Sequence, residues 1–457
     1  MISFAFWDYA VLLLFFVSLL ITGYIASRRG GSDEQSYFLA GKKTGIVLFI
    51  VTNVATWYGG ILGIGEFTYQ YGLVTWFTQG LPYYLFAILF AFFMVKKVYQ
   101  GGTITIPQKI ESVYGRGAGK TASLFVLILS SPAPYLLMVA QILDLFFGLP
   151  LFWGLVISAV LSIFYLIKGG LLSDIYVDAL LFIVMFSGFG ILLWSVYTSA
   201  GSEILFNQLP ASHLSLTGGL SPLYLGVWWM IAVWTFVDPG FHQRVKAARS
   251  VNTAKWGIII SVVLWLVFDF LTNVTGLYTA ALLPGISDPK NSFPLLADRF
   301  LTVGFKGFFF AALFATIIST SNSFLFISGT TIGIDFIKTG QKKKAAIYGM
   351  IISAGLAIAL ALLIPSVIGM WYLIGSVCVP GLLLATLAAY FPGLNIGRGV
   401  IQAGFIAGSL SSVLWYILRE AGKLSPELEL IEPMIVGLAV ISILAGGEKI
   451  NAVFRKR

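Results

Sequence analysis

Long apolar runs recur from one end of this chain to the other, and nothing else in the sequence constrains its fold as strongly. A helix that crosses a bilayer needs about 20 mostly apolar residues. FWDYAVLLLFFVSLLITGYIA (6–26) is one such run, and twelve more follow near 46–70, 74–95, 121–147, 149–167, 174–199, 222–240, 256–282, 303–334, 345–366, 368–391, 399–418 and 431–446. Only 10% of the 457 residues are charged, against about 25% in a soluble domain. Such a chain has too little charge to cover a surface facing water, so the bilayer is its solvent. The expected fold is an all-α polytopic membrane protein with about thirteen transmembrane helices in a single membrane domain. The first run begins after a stretch without a basic residue and lacks a small-residue cleavage site, so it reads as a retained span.

The loops test this placement. With the N-terminus outside, five basic residues (Lys290, Arg299, Lys306, Arg419 and Lys423) fall on the outer face, leaving 23 of the 28 on the inner face. Basic residues near span ends favour the cytoplasm. The expected orientation is N-terminus outside and C-terminus cytoplasmic, in a plasma or bacterial inner membrane. The net charge of +9 is then a topology signal, and contact with anionic lipid follows from it. It does not point to nucleic acid. One cysteine, Cys378, and two distant histidines, His213 and His242, make neither a disulfide, a metal site nor a nucleophile–base pair. No enzyme is expected.

Two spans carry polar or helix-breaking patterns that a purely structural helix avoids. The second holds Gly59, Gly60, Gly63 and Gly65. Glycine costs about 1 kcal/mol in a helix interior relative to alanine, so the cluster predicts an unwound stretch. Close helix packing through small residues is the alternative. Unwound backbone at membrane depth is tolerated where it lines a cavity, and its freed carbonyls can hold a cation. The ninth span holds Thr316, Ser319, Thr320, Ser321, Asn322 and Ser323. Residues four apart share a helix face, and hydroxyl oxygens suit a small hard cation. A hydroxyl can instead bond back to its own helix. Acidic residues inside spans are functional candidates by default; Asp178 ranks first and Glu66 second. Asp144 and Asp269 are expected to reach headgroups, and Asp238 to cap or turn the chain before Pro239. Among the aromatic residues Trp57 and Tyr58 adjoin the expected break. Trp228, Trp229, Trp234, Trp371 and Tyr372 are weaker candidates.

Five motifs carry a resemblance over nearly the whole chain. SYFLAGKK (36–43), VATWYGG (54–60) with Glu66, Tyr69 and Gly72, GGLLSDIYVD (169–178), DPGFHQRVKAARS (238–250) and ATIISTSNS (315–323) occur in order on the expected spans. Together they resemble the sodium:solute symporter family, whose relatives carry proline, galactose, sialic acid, pantothenate or choline. The resemblance implies a ten-helix core of two inverted five-helix repeats with broken first helices. They correspond to 46–199 and 222–391; 1–45 and 399–457 are peripheral. It implies sodium held by the carbonyls of Asn53, Thr56 and Thr316 and the hydroxyls of Ser319 and Thr320. It implies a second sodium, or the inward exit path, near Asp178, Ser319, Asn322 and Ser323. The solute would lie near Trp57, Tyr58, Gly59 and Gly60, with Ser131 and Tyr135 of SSPAPY and with Trp228 and Trp371 as further candidates. The expected function is sodium-coupled symport of a small organic solute by alternating access, with Na+ as the coupling ion and a monomer as the simplest state. The alternatives are a proton-coupled or sodium-independent carrier of the same fold, or a membrane sensor or channel.

Overall fold

The computed structural model describes residues 2–29, 33–337 and 339–454. Lys338 and Arg455–Arg457, counted above among the inner charges, lie outside the described residues, as do the side chains of Tyr372 and Lys449. Among the described residues there is no β-strand, and ten helices are long and apolar enough to cross a membrane.

Helix α1 (Phe6–Arg29) is followed by α2 (Ile46–Ala55) and α3 (Ile61–Tyr71), which are the two halves of the glycine-rich second run. α4 (Leu81–Phe93) is entered through a π-helical turn at Trp76–Gly80. α5 (Arg116–Leu129) and α6 (Ala133–Phe147) meet at Ser130–Pro132, where the prolines were expected to interrupt the fourth span. α7 (Leu151–Ala200) runs for 50 residues with one non-helical residue, Gly170, at φ 57° and ψ −143°. Fifty residues are too many for one crossing, so α7 supplies the fifth and sixth spans without the loop expected near 168–173. Glycine fits this bend because a Cβ at Gly170 would strike the backbone and ring of Tyr37. Asp174 and Asp178 therefore lie one and two turns past a sharp bend, inside a helix.

The seventh run departs further from a regular span. α8 (Pro222–Ile231) passes into a 3₁₀ turn at Ala232–Phe236 and stops, and α9 (Pro239–Ala247) begins anew. The Asp238 carboxylate caps α9 by accepting from the Phe241 N–H at 2.8 Å, as its place before Pro239 suggested. α10 (Val251–Leu282), α11 (Phe305–Thr330), α12 (Lys342–Leu363), α13 (Val367–Tyr390), α14 (Arg398–Glu420) and α15 (Pro433–Phe454) complete the chain.

α11 is the axis of the molecule. Of its 26 residues all but Phe305, Phe308 and Phe324 are buried. A helix buried all round has no lipid face, so its hydroxyls meet protein and not hydrocarbon. α1, α2, α6, α7 and α12 surround it. The outward faces of α1, α7, α10 and α14 expose Leu13, Leu14, Trp194, Phe270 and Leu410, the pattern of a lipid-facing perimeter.

Candidate functional site

α2 ends where its backbone bonding shifts register. The Trp57 N–H turns to the Val54 carbonyl at 3.2 Å, so the Asn53 carbonyl loses the helical partner it would have had at Trp57. A 3₁₀ turn, Tyr58–Gly60, then leads into α3. The break lies against α11: the Thr320 hydroxyl donates to the Thr56 carbonyl at 2.9 Å and lies 3.4 Å from the Thr316 carbonyl. Three of the five expected sodium ligands thus converge. Glycine permits the approach, because a Cβ at Gly59 would lie 2.5 Å from Thr320 Oγ1 and 2.6 Å from the Tyr135 ring. A Cβ at Gly60 would enter the Trp371 ring. The cluster breaks the helix and also lets neighbours approach it closely.

Ser319 points elsewhere. Its hydroxyl donates to Asp178 Oδ1 at 2.5 Å, and Thr52 of α2 donates to Asp178 Oδ2. A hydroxyl that donates to a carboxylate keeps its lone pairs free and enriched in charge, which suits it to a cation on the other side. Next to Asp178 lies a group that sequence reasoning had counted only as a loop charge. Arg244 of α9 is 3% exposed. Its Nη2 stands 3.8 Å from Asp178 Oδ2 and 3.9 Å from Asp174 Oδ2. It donates to Ser323 at 2.7 Å, and Ser323 donates to Asp174 at 2.5 Å. Arg244 Nε donates to Thr52 at 3.2 Å. α2, α7, α9 and α11 therefore meet in one buried polar node. Lys246, the next counted charge, is also buried, and its ammonium donates to the Ile104 and Thr105 carbonyls.

The other candidates separate into two groups. Trp57 stacks on Trp265 with ring centroids 4.8 Å apart and meets Tyr83 and Phe241 edge-on. The Tyr58 hydroxyl donates to the Trp265 carbonyl at 2.9 Å, and Tyr135 lies against Phe324 and Trp371. Trp57, Tyr58, Tyr135 and Trp371 are thus gathered at the break. Ser131 only accepts from the Ala133 N–H at 3.4 Å, and Trp228 packs on Phe67 two turns along α3. Asn322 is fully buried on α11. Glu66 is half-buried in α3 with Oε2 lacking a hydrogen-bond partner among the described residues. Asp144 is exposed, as expected of a headgroup contact. Asp269 is not: it is buried and accepts from the Tyr84 hydroxyl, which in turn accepts from Trp76 Nε1 at 3.2 Å. Asp269 is in fact at the middle of its run, 256–282, so a headgroup contact was the wrong expectation, and nothing in that run shows that the π-helical turn folds over it.

The profile of the sodium:solute symporter family matches residues 37–385, which contain the break, the node and the whole of α11. The chain belongs to the sodium:solute symporter family. The activity of that family is sodium-coupled solute symport, transport and not catalysis. A high-affinity choline transporter of Drosophila melanogaster is 25% identical over 79% of this chain, which spans 63% of that relative's length. A sodium/glucose cotransporter of Vibrio parahaemolyticus is 23% identical over 90% of this chain and 81% of its own. Among solved structures, a Na+-coupled sialic acid symporter in a substrate-bound outward-open state superposes with a TM-score of 0.84. It is 18% identical, with 97% of each chain covered. A nucleobase–cation symporter matches at 0.57 and 13% identity, over 89% of this chain and 93% of its own. These likenesses establish the fold: helices with interrupted first elements around a central site.

Proposed function

We propose that this symporter moves a small organic solute inward together with sodium, and that sodium binds between the α2–α3 break and α11. The ligands are the carbonyls of Asn53, Thr56 and Thr316 and the hydroxyls of Ser319 and Thr320. The contact between the Thr320 hydroxyl and the Thr56 carbonyl carries this reading, because it brings ligands from both elements into hydrogen-bond range. Sodium bound there ties α2 to α11, and the solute then docks on the aromatic wall at Trp57, Tyr58, Tyr135 and Trp371. Such a wall suits an apolar or cationic face of the solute; choline and glucose are what the two named relatives carry.

Residues 46–199 and 222–391 form the two inverted repeats. Five spans per repeat is an odd number, so the second copy starts from the opposite face of the membrane. The N-terminus is outside and the C-terminus cytoplasmic, in the plasma or inner membrane. Alternating access rocks the repeats about the site, with Asp178 on the inward path of sodium. The membrane potential contributes about 2.3 kcal/mol per charge per 100 mV.

Uptake into proteoliposomes tests the reading, using radiolabelled solutes that span a quaternary amine, a hexose, an amino acid and a sugar acid. At least one solute should enter only with an inward sodium gradient at fixed pH. The Ser319→Ala/Thr320→Ala variant should raise half-saturating sodium by at least about tenfold, because a hydrogen-bonding group facing a charge contributes about 1.5–3 kcal/mol. Sodium-independent uptake, or an unchanged sodium dependence in the variant, would overturn the assignment.

A further inference from the structure

We infer that Asp269 of α10 is the counter-ion of the transported solute, and that the solute is therefore a small organic cation carrying an ammonium group. The inference rests on the solute wall proposed above and narrows it to one chemical class.

Among the described residues, Asp269 is the one buried aspartate left without a cation or an N–H donor. Asp174 and Asp178 share Arg244, at 3.9 and 3.8 Å. Asp8 accepts from three backbone N–H groups. Asp335 accepts from Thr105 at 2.9 Å and lies in the field of the Lys246 ammonium. Around Asp269 every polar neighbour is neutral. Tyr84 of α4 donates to Oδ2. The Tyr58 hydroxyl also lies against the carboxylate but gives its proton to the Trp265 carbonyl at 2.9 Å. Thr272 and Asn273 bond to the main-chain carbonyl of Asp269, at 3.2 and 2.8 Å, and not to its side chain. A carboxylate has about four acceptor positions. Holding one inside a span with a single neutral donor is strongly disfavoured unless a cation arrives to pair with it.

The carboxylate is built into the solute wall. Trp265 precedes it by four residues and so shares its face of α10. Trp265 stacks on Trp57, whose other edges meet Tyr83 and Phe241 at 5.1 and 5.7 Å. Tyr83 and Tyr84 are neighbours on α4, which thus gives one ring to Trp57 and one hydroxyl to Asp269. The π-helical turn makes room for this approach, because a Cβ at Gly80 would lie 2.7 Å from Asp269 Oδ2. Such turns are frequent at functional sites. Trp265 is fully buried, yet its indole N–H has no acceptor among the described residues. One turn of α10 therefore lacks both a cation and an acceptor, and a ligand can supply the two together. Aromatic faces attract an ammonium through the ring quadrupole, and Asp269 adds the full opposite charge. A neutral sugar would leave that charge uncompensated, and an anionic solute would be repelled by it.

Two measurements on the full-length protein test this. In the proteoliposome screen, with choline as the quaternary amine and proline as the amino acid, one of these two should enter with sodium while the hexose and the sugar acid do not. The probe that enters is then compared in detergent, at saturating sodium, with its analogue lacking the positive charge: the tert-butyl isostere of choline, or cyclopentanecarboxylate for proline. The charged probe should bind at least about tenfold more tightly, since a buried charge left unpaired is costly. Asp269→Asn keeps an acceptor for Tyr84 and removes the charge. It should weaken the charged probe at least about tenfold, leave the uncharged analogue unchanged, and leave half-saturating sodium, measured without solute, that of wild type. Tyr84→Phe removes the neutral hydrogen bond and should keep the preference for the charged probe, which a purely structural role for the pair would abolish. Sodium-driven entry of the hexose or the sugar acid would overturn the inference and leave sodium symport standing. Equal binding of charged and uncharged analogues would do the same, and it decides the matter on the wild type even where Asp269→Asn fails to fold. A folded Asp269→Asn with wild-type affinity for the charged probe would also overturn it. Entry of no solute with sodium would remove both this inference and the reading beneath it.

Discussion

At the residue scale, the sequence marked the hydroxyl-bearing face of α11 but not the partners of those hydroxyls. Thr316, Ser319, Thr320 and Ser323 were singled out by number and spacing, and three of them engage other helices. Thr316 does not: its hydroxyl donates to its own helix at the Leu313 carbonyl, 2.7 Å away, the local bonding that competes for any helical threonine. If only its carbonyl serves sodium, Thr316→Ala should change the sodium binding free energy by less than about 0.5 kcal/mol. A sodium titration of that variant beside Thr320→Ala separates a carbonyl ligand from a hydroxyl ligand. Gly59→Ala should behave in the opposite way. The added methyl would lie 2.5 Å from Thr320, so the break must move off α11. Sodium should raise the melting temperature of the purified wild type by mass action and should fail to raise that of the variant. Asp174, Thr52 and Arg244 were not legible, for separate reasons. Asp174 falls at the expected edge of a span, where an acid is cheap. Thr52 lies beside Asn53 in an otherwise apolar stretch, where a single helical hydroxyl ordinarily bonds back to its own helix. An arginine inside a basic inner loop has the composition of a topology signal, and only the fold of α9 turns it into the node.

At the element scale, the runs that became helices were visible because twenty apolar residues have few other uses, and the break in the second run was visible because four glycines in seven residues weaken a helix; Gly63 and Gly65 nevertheless lie within α3, where Gly65 packs closely against Ser292 and Phe293. The bend within α7 was not, since the Gly169–Gly170 pair reads equally well as a loop. Nor was the π-helical turn before α4, whose Trp76 donates to Tyr84 of α4, which in turn donates to Asp269 of α10. The start of α11 shows how one polar residue orders two distant elements. Asp8, at the head of α1 and fully buried, accepts from the N–H groups of Gly304 and Gly307 at 2.8 and 2.9 Å and from its own Ala5 at 3.0 Å. It therefore caps a helix almost 300 residues away. Asp8→Ala would leave those buried donors without an acceptor, at about 1–3 kcal/mol. Thermal unfolding in detergent should show a clear loss of stability, while the sodium affinity of the surviving folded protein stays that of wild type. A large change in sodium affinity would instead tie α1 to the moving parts.

At the scale of the whole molecule, the proposed orientation depends on counting charges, and three of those counted are buried: Arg244 and Lys246 from the inner tally and Lys306 from the outer. Arg244 and Lys246 are 3% and 2% exposed, so they report on the node and on the Ile104–Thr105 turn and not on a loop in the cytoplasm. Removing two from the inner tally and Lys306 from the outer leaves the bias intact, because the outer face then carries only four. Orientation can be measured directly, since the single native thiol, Cys378, is fully buried and should give no background labelling. Ser202, after α7, and Gln341, before α12, are both exposed and fall on opposite faces in the proposed topology. In intact cells a membrane-impermeant maleimide should label Ser202→Cys and spare Gln341→Cys, and in inverted vesicles the preference should reverse. The reverse result in intact cells would put the N-terminus inside and exchange the two faces of the transporter. The sodium site at mid-membrane would stand, but Asp178 would then lie on the outer path, and the direction proposed for solute import would have to be turned around.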